Sequence, residues 1–445
     1  MALDTRVSTE HALLDATFDR LFPLLRSITG PGIEQSLDIM AGLMSLEIFG
    51  VPSGTRVFDW ETPPQWTCRS ASLTGPDGRV VCDMTMSNLH VVNYSEGVDR
   101  ILPLSELQRH LHSLPHLPDA VPYVTSYYNR TWGFCLSDTV RKGLKDGLYH
   151  ARIDAELHPG RVPLAHGFLD GETAKDDCRE IMLSSYLCHP SLANNELSGP
   201  LVLLGLYNRI KAWPRRRHRF RFVLNPETIG SLCYLSLHGD ELRAKMDAGF
   251  VLTCLGGPGE VSYKASRRET TTADRLARHW HARGEALNLR AFTPTGGSDE
   301  RQYCSPGFNL PVGQFARAIY ADYDGYHNSR DSKAFMTIDA LVRSIDTIEA
   351  YLKELDLAFP WTNQAPYGEP QLGRRGLYPN INSAATWAAS SDEVFDGRAI
   401  LEKILTVLNY SDGEHDLVDI SEKCGCSVRD LLPVVRRLEE GGLLA

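Results

Sequence analysis

The sequence predicts an α/β protein: a mostly parallel sheet with helices on both faces, interrupted by a β-rich insertion and followed by a small helical domain. Three observations predict it. From Glu180 to Leu355, strand-length apolar runs alternate with helical patterns, the order that builds parallel strands joined by helical crossovers. From Gly54 to about Pro159, short β-like runs alternate with turn pairs. A chain of 445 residues also exceeds what one core usually supports, so two or three domains are expected.

The elements follow in order. Leu14, Phe18, Leu21, Phe22 and Leu25 recur at helical spacing, Gly30-Pro31-Gly32 breaks the pattern, and a second helix follows from Ile33 to Leu46. The β-rich stretch holds runs such as Val57–Trp60, Arg79–Cys82 and Leu89–Val92. Beyond it come a strand at Ile181–Leu187, a helix at Leu197–Lys211, a strand at Phe220–Leu224 and a helix from Gly230. A Pro- and Gly-rich linker separates these from three short helices at the end. The expected boundaries are 1–50 with 160–358 for the α/β domain, 51–159 for the insertion, 359–380 for the linker and 381–445 for the last domain.

Composition narrows the function. A net charge of −10 argues against a general binder of nucleic acid or anionic membrane, and no apolar run reaches the length of a membrane span. The first ten residues are polar and do not read as a signal peptide. Ten cysteines lie scattered in apolar segments, the pattern of reduced thiols in a cytoplasmic protein. The segment Leu417–Leu432 has helix-turn-helix form, with Ser427 as a cap and Pro433 expected to interrupt the second helix. From Asp416 to Ala445 six acidic side chains face four basic ones, which argues against DNA binding and for docking or a homo-oligomer contact.

The chemistry concentrates at three places. Cys188-His189 follows the run Ile181–Leu187, and the loop Ser191–Glu196 leads to a Ser198-Gly199 step that opens a helix. Pro226-Glu227 follows Phe222–Asn225, and His327 lies in Gly325–Ser329. Ligands in α/β sheets sit beyond the carboxyl ends of strands, and imidazole is the commonest metal ligand. Two histidines and a glutamate so placed suggest a metal-dependent hydrolase. Each residue also has a plainer role open to it: Asn195 or Glu196 as a helix cap, Asp299 as an ion-pair partner of Arg301, Arg267 or Arg268.

The segments Tyr186–Pro200, Asn225–Ser231 and Tyr326–Ser332 resemble the co-catalytic zinc aminopeptidases of the M28 type. More closely they resemble an aminopeptidase-like branch, associated with polysaccharide and secondary-metabolite biosynthesis, that carries a β-rich insertion and a winged-helix-like C-terminus. The resemblance extends to Tyr127–Cys135 and Leu405–Gly413 and so covers nearly the whole chain. It implies that His189 and His327 are metal ligands and that Glu227 is a third. It places Asn195 and Thr253 where two metal-binding aspartates would stand, Pro226 where the general base would stand, and Ser298-Asp299 in a motif before the last histidine.

Those departures favour one zinc over two, held by His189, Glu227 and His327, with Asn195 completing or orienting the shell. Glu196 and Asp299 become the candidates for moving protons, and Tyr128, Arg130, Trp132 and Arg301 for contacting substrate. The implied activity is hydrolysis of an amide in a small peptide, an aminoacylated metabolite or an amino-sugar derivative. Two other readings stay open: a non-catalytic ligand-binding regulator with a helix-turn-helix tail, and an enzyme using another metal such as Fe(II).

Overall fold

The computed structural model describes residues 2–172, 178–378 and 397–445. The chain divides into two compact units, 1–268 with 290–347, and 269–289 with 348–445. The end of the expected linker and the expected start of the last domain at 381 lie outside the described residues.

The first unit is built on a sheet. Its strands that lie wholly within the unit run in the order Glu47–Pro52, Arg161–Leu169, Arg219–Asn225, Glu180–Tyr186, Met246–Leu252, Val312–Ala316, Val261–Lys264. The middle four are mutually parallel, and the flanking pairs are antiparallel. Every residue of Glu180–Tyr186 is buried, which explains why its sequence shows an apolar run rather than alternation. Met182, Val223 and Val251 pack with Tyr234, Leu235 and Leu242 of the helix Ile229–Lys245. Phe222, which points to the other face from Val223, meets Tyr207 of the helix Ser198–Lys211 at a ring separation of 5.2 Å. The sheet is therefore covered on both faces, as the sequence predicts. Arg221 and Glu180, both fully buried, pair across neighbouring strands at 2.7 Å, and Arg221 also reaches the Tyr234 hydroxyl at 2.8 Å.

The insertion forms its own antiparallel sheet, ordered Val80–Asp83, Gln65–Thr74, Leu148–His158, Val98–Pro103. A small hairpin, Arg56–Val57 with Trp60–Glu61, precedes it.

In the second unit, the helices Gly397–Tyr410, Leu417–Cys424 and Val428–Glu440 form the winged-helix core. Ser427 caps the last helix by accepting from the Asp430 amide, and Gly425 supplies the left-handed turn at φ 63°. Pro433 does not interrupt that helix. The ring removes one backbone bond, but Val428, Leu431, Val434, Val435 and Leu438 bury a continuous stripe that outweighs the loss. The strand-like contact is short: Thr362 exchanges two backbone bonds with Ala445, at 2.9 and 3.1 Å. Arg429 at the start of the last helix is tied to Glu354 at 2.8 Å.

Candidate metal centre

The three chemical segments meet at the carboxyl ends of the parallel strands. Glu180–Tyr186 delivers Cys188 and His189, and Arg219–Asn225 delivers Glu227. After His189 the chain winds through a π-helical turn, Ala193–Leu197, before the helix Ser198–Lys211. Gly199 is required there. A Cβ on it would lie 2.3 Å from both the Leu252 carbonyl oxygen and the Ser185 hydroxyl, so this helix can approach the sheet only with glycine.

The π turn curls Glu196 back beneath His189. Glu196 Oε2 lies 2.7 Å from His189 Nδ1, and Oε1 accepts from the Cys188 amide. When His189 is neutral, this bond favours the proton on Nδ1 and leaves Nε2 to face a cation. Nε2 lies 3.8 Å from Glu227 Oε2. The other Glu227 oxygen accepts from the Ser298 hydroxyl at 2.5 Å. The His327 ring sits 5.4 Å from the His189 ring, stacked on Tyr326 at 4.0 Å. From the insertion, Tyr123 packs against both imidazoles at 5.0 and 5.4 Å, and its amide donates to the His327 carbonyl at 2.8 Å.

These spacings fit one cation. Ligand atoms on a tetrahedral zinc are about 3.3 Å apart, and two imidazoles on one ion have ring centres roughly 5 Å apart. The His189–Glu227 separation and the spacing of the two histidine rings lie near these values, but the ligand atoms of His189, Glu227 and His327 do not all lie within 4.8 Å of one another, so His327 would have to turn to complete the set. The carboxylate behind His189 Nδ1 is the partner that a metal-bound histidine usually has. The Tyr186 hydroxyl donates to the Asn195 backbone carbonyl at 2.8 Å and lies 2.5 Å from the Thr253 hydroxyl, so Thr253, which stands where a carboxylate would, is a neutral hydrogen-bonded group. The Asn195 side-chain Nδ2 is buried without a partner. Among the described residues the group whose ligand atoms do lie within 4.8 Å of one another is Cys188, His189 and Glu196, but Glu196 spends both oxygens on the other two residues.

Electrostatics separate the two histidines. Burial, with His189 nearby, pushes the His327 imidazole down to about 3, so it is neutral and ready to ligate. For His189 burial acts the same way, but Cys188 and Glu196 outweigh it and hold the pKa well above the ordinary value. The Cys188 thiol is itself pushed up to about 11 by burial, so near neutral pH the pull on His189 is that of Glu196.

The backbone is strained around the site. Thr228 has φ 64° and ψ −74°, a γ-turn closed by the Ile229 amide bonding to the Glu227 carbonyl at 2.8 Å. Ser191, Cys254 and His327 also have positive φ. Asp299 holds the Thr228 turn, accepting from the Thr228 amide at 2.7 Å, Asn225 Nδ2 at 2.9 Å and the Ser231 hydroxyl at 3.0 Å. Burial and the Glu227 charge raise its pKa to about 7. Asp331 plays the matching part beneath the π turn, accepting from the amides of Asn194 and Asn195 at 2.7 and 2.9 Å.

The fate of the other expected residues follows. Glu196 and Asp299, expected to move protons, do not line the cavity beside His189, and each oxygen of both accepts at least one hydrogen bond. That cavity, about 210 Å³, is lined by His189, Glu227, Cys188, Tyr127 and Tyr128 among others. Tyr128 is therefore placed as expected. Arg130 and Trp132 are not: Arg130 pairs with Glu96 at 3.1 Å, and Trp132 stacks flat on His110 at 3.7 Å. Arg301 is held beside the Glu227 loop by its bond to the Ser298 carbonyl at 3.2 Å. Sequence reading gave no role to Tyr127 or Ser298, and missed Tyr123 and the buried Arg26, whose Nε donates to the His189 carbonyl at 3.0 Å. The aromatic cluster Tyr123–Tyr128 was the available signal for the two tyrosines; Arg26 carried none.

Comparison with known proteins gives the family. Residues 15–357 match a family described as a domain of unknown function (DUF4910), and residues 359–445 match a winged helix-turn-helix family. A Clostridium acetobutylicum protein, provisionally named for polysaccharide biosynthesis with an aminopeptidase-like domain, is 37% identical over 413 residues, 92% of this chain and 91% of that one. A crystal structure from the same species, provisionally described as a peptidase, superposes with a TM-score of 0.83 at 33% identity, covering 100% of this chain and 99% of that one. A zinc aminopeptidase from Bacillus subtilis shares the fold at TM-score 0.57 and 13% identity, over 78% of this chain and 94% of that one. An M28 peptidase precursor from Shewanella amazonensis does so at 0.53 and 12%, over 78% and 92%. The chain belongs to this aminopeptidase-like family, with the fold of the M28 zinc aminopeptidases and a winged helix at its carboxyl end.

Proposed function

We propose that the protein is a zinc-dependent amide hydrolase that holds one metal ion between His189, Glu227 and His327. The observation that carries this reading is the convergence of His189 Nε2 on Glu227 Oε2 at 3.8 Å with the His327 ring alongside. Bound there, zinc supplies Lewis acidity and a water of lowered pKa. Glu227 is the carboxylate lining the cavity, and Ser298 holds one of its oxygens. Burial raises its pKa. The Tyr127 hydroxyl lines the same cavity, bonded to Tyr123 at 2.8 Å. Burial raises its pKa well above the ordinary value, so it stays a donor for the carbonyl oxygen of a bound amide. Glu196 and Asp299 orient His189 and the Glu227 turn. The reaction belongs to a biosynthetic setting, a peptide, aminoacylated metabolite or amino-sugar derivative being the substrate, in keeping with the relative's name.

A cytoplasmic setting is part of the proposal. All ten cysteines are free, and no helix among the described residues is long and apolar enough to cross a membrane. The test is elemental analysis of the purified protein, with amide hydrolysis followed by amine release. One zinc per chain, lost in His189→Ala and His327→Ala together with turnover, is expected. Metal-free protein with no turnover after zinc addition overturns the reading, and stoichiometric iron replaces zinc with the Fe(II) alternative.

A further inference from the structure

The cavity names a substrate class, on the premise that the amide-hydrolase reading holds. Its charge does not suit a free amine. An ammonium group leaving water needs an anion to itself, because an unpaired buried charge costs several kcal/mol. Glu227 is the one carboxylate among the lining residues, and it already serves Ser298 and the cation position. Glu196 and Asp299 spend their oxygens on backbone and side-chain donors behind the wall. Two guanidinium groups add positive charge close by. Arg26 bonds to the His189 carbonyl, and Arg301 bonds to the carbonyl of the Ser298 that holds Glu227.

The opposite wall is aromatic. Trp60, from the hairpin ahead of the insertion's sheet, and Tyr128 line the cavity with rings 5.4 Å apart at 67°. They are 40% and 51% exposed, so large apolar faces stand open beside a polar site. Ile28 and Ile229 extend that surface. Such walls bind the flat C–H face of a ring or an aromatic group, and the small volume admits one such unit beside an amide.

We propose that the substrate is an uncharged N-acylated amine, its amide placed at His189 and Glu227 and its ring against Trp60 and Tyr128, and that substrates with a free α-amine are rejected. In the reaction, water oxygen bonds to the acyl carbon, the C–N bond breaks, and a proton passes to the departing nitrogen, giving a carboxylic acid and an amine. The amine is that of a sugar or of an amino acid, and the probes separate the two.

The test uses the full-length, zinc-loaded protein and calorimetric titration with N-acetylglucosamine, N-acetylphenylalaninamide and leucinamide. At least one acetylated probe should bind tenfold or more tightly than leucinamide, and which one binds identifies the ring. Trp60→Ala and Tyr128→Ala should each weaken that probe about tenfold at unchanged zinc content. Leucinamide binding as tightly as the acetylated probes overturns the inference. So does the absence of binding by either acetylated probe, or indifference to both wall substitutions. Amine release, measured separately, keeps the premises apart: selective binding without turnover sinks the hydrolase reading, whereas turnover of leucinamide sinks the substrate class alone.

Discussion

Replacing Glu196 with glutamine tests whether the cation position depends on the group behind His189. The side chain is 1% exposed, and its two oxygens accept from His189 Nδ1 and the Cys188 amide. Glutamine keeps the shape but has one acceptor oxygen. Whichever donor meets the new NH2 group loses its bond, which costs about 1–3 kcal/mol of folding stability for a buried donor. Losing the partner that fixes a ligating histidine typically weakens metal binding 10–100-fold, or about 1.4–2.7 kcal/mol. The pH dependence gives an independent sign. Although burial opposes it, the pKa of His189 is held well above its ordinary value with Glu196 among the causes, so a proton competes with the metal. Wild-type affinity should fall about tenfold per pH unit below that raised pKa. Glu196→Gln lowers the pKa, moves the fall to lower pH and reduces the protons released on binding. Competition with a chelator from about pH 6 to 9, with calorimetry in buffers of different ionisation enthalpy, measures both effects. Unchanged affinity and unchanged proton release would refute the assigned role of Glu196.

Two further outcomes are expected away from the cation position. His166, packed among Phe49, Phe168 and His238 and bonded to the Tyr234 hydroxyl at 3.0 Å, has its pKa lowered to about 4 by burial, with His238 and Arg221 adding to the effect. The unfolded chain therefore binds more protons between the two pKa values, so stability is full above about pH 6.5 and declines towards pH 4, by roughly 2 kcal/mol. His166→Phe should flatten that part of the urea-unfolding profile, and an unaltered slope would refute the assignment. Gly199→Ala should cost about 1–3 kcal/mol, because its Cβ meets backbone at Leu252. An unchanged urea midpoint would show that the helix can withdraw from the sheet at no cost.

Much of this was readable before any coordinates. Residues whose position follows from a buried strand were placed correctly: His189 and Glu227 each stand just past a run that becomes a central parallel strand. Ser427 and Gly425 announced their turn because cap and left-handed preferences are local. What failed was long-range or compensatory. Glu196 reads as a free acid in a polar loop, and only the π turn returns it to His189 seven positions earlier. Arg130 and Trp132 share a motif with Tyr128, yet a cluster in sequence does not force a cluster in space. Pro433 shows local propensity overruled by packing.

The departures from the two-metal pattern are mutually consistent. A second divalent cation would add two positive charges where Asn195, Thr253 and Tyr186 offer only neutral oxygens, bonded to one another. With one cation, Glu227 and Glu196 together balance its charge, and Arg26 and Arg301 lie close enough to make any further positive group unfavourable. On the proposed one-ion reading, the same charge balance leaves no carboxylate of the cavity for a substrate ammonium. On the proposed reading, the missing carboxylates bear on substrate as well as on metal: a cavity with Asn195 and Thr253 in their places would favour neutral amides over charged amines, with His189, Glu227 and His327 as the proposed metal ligands.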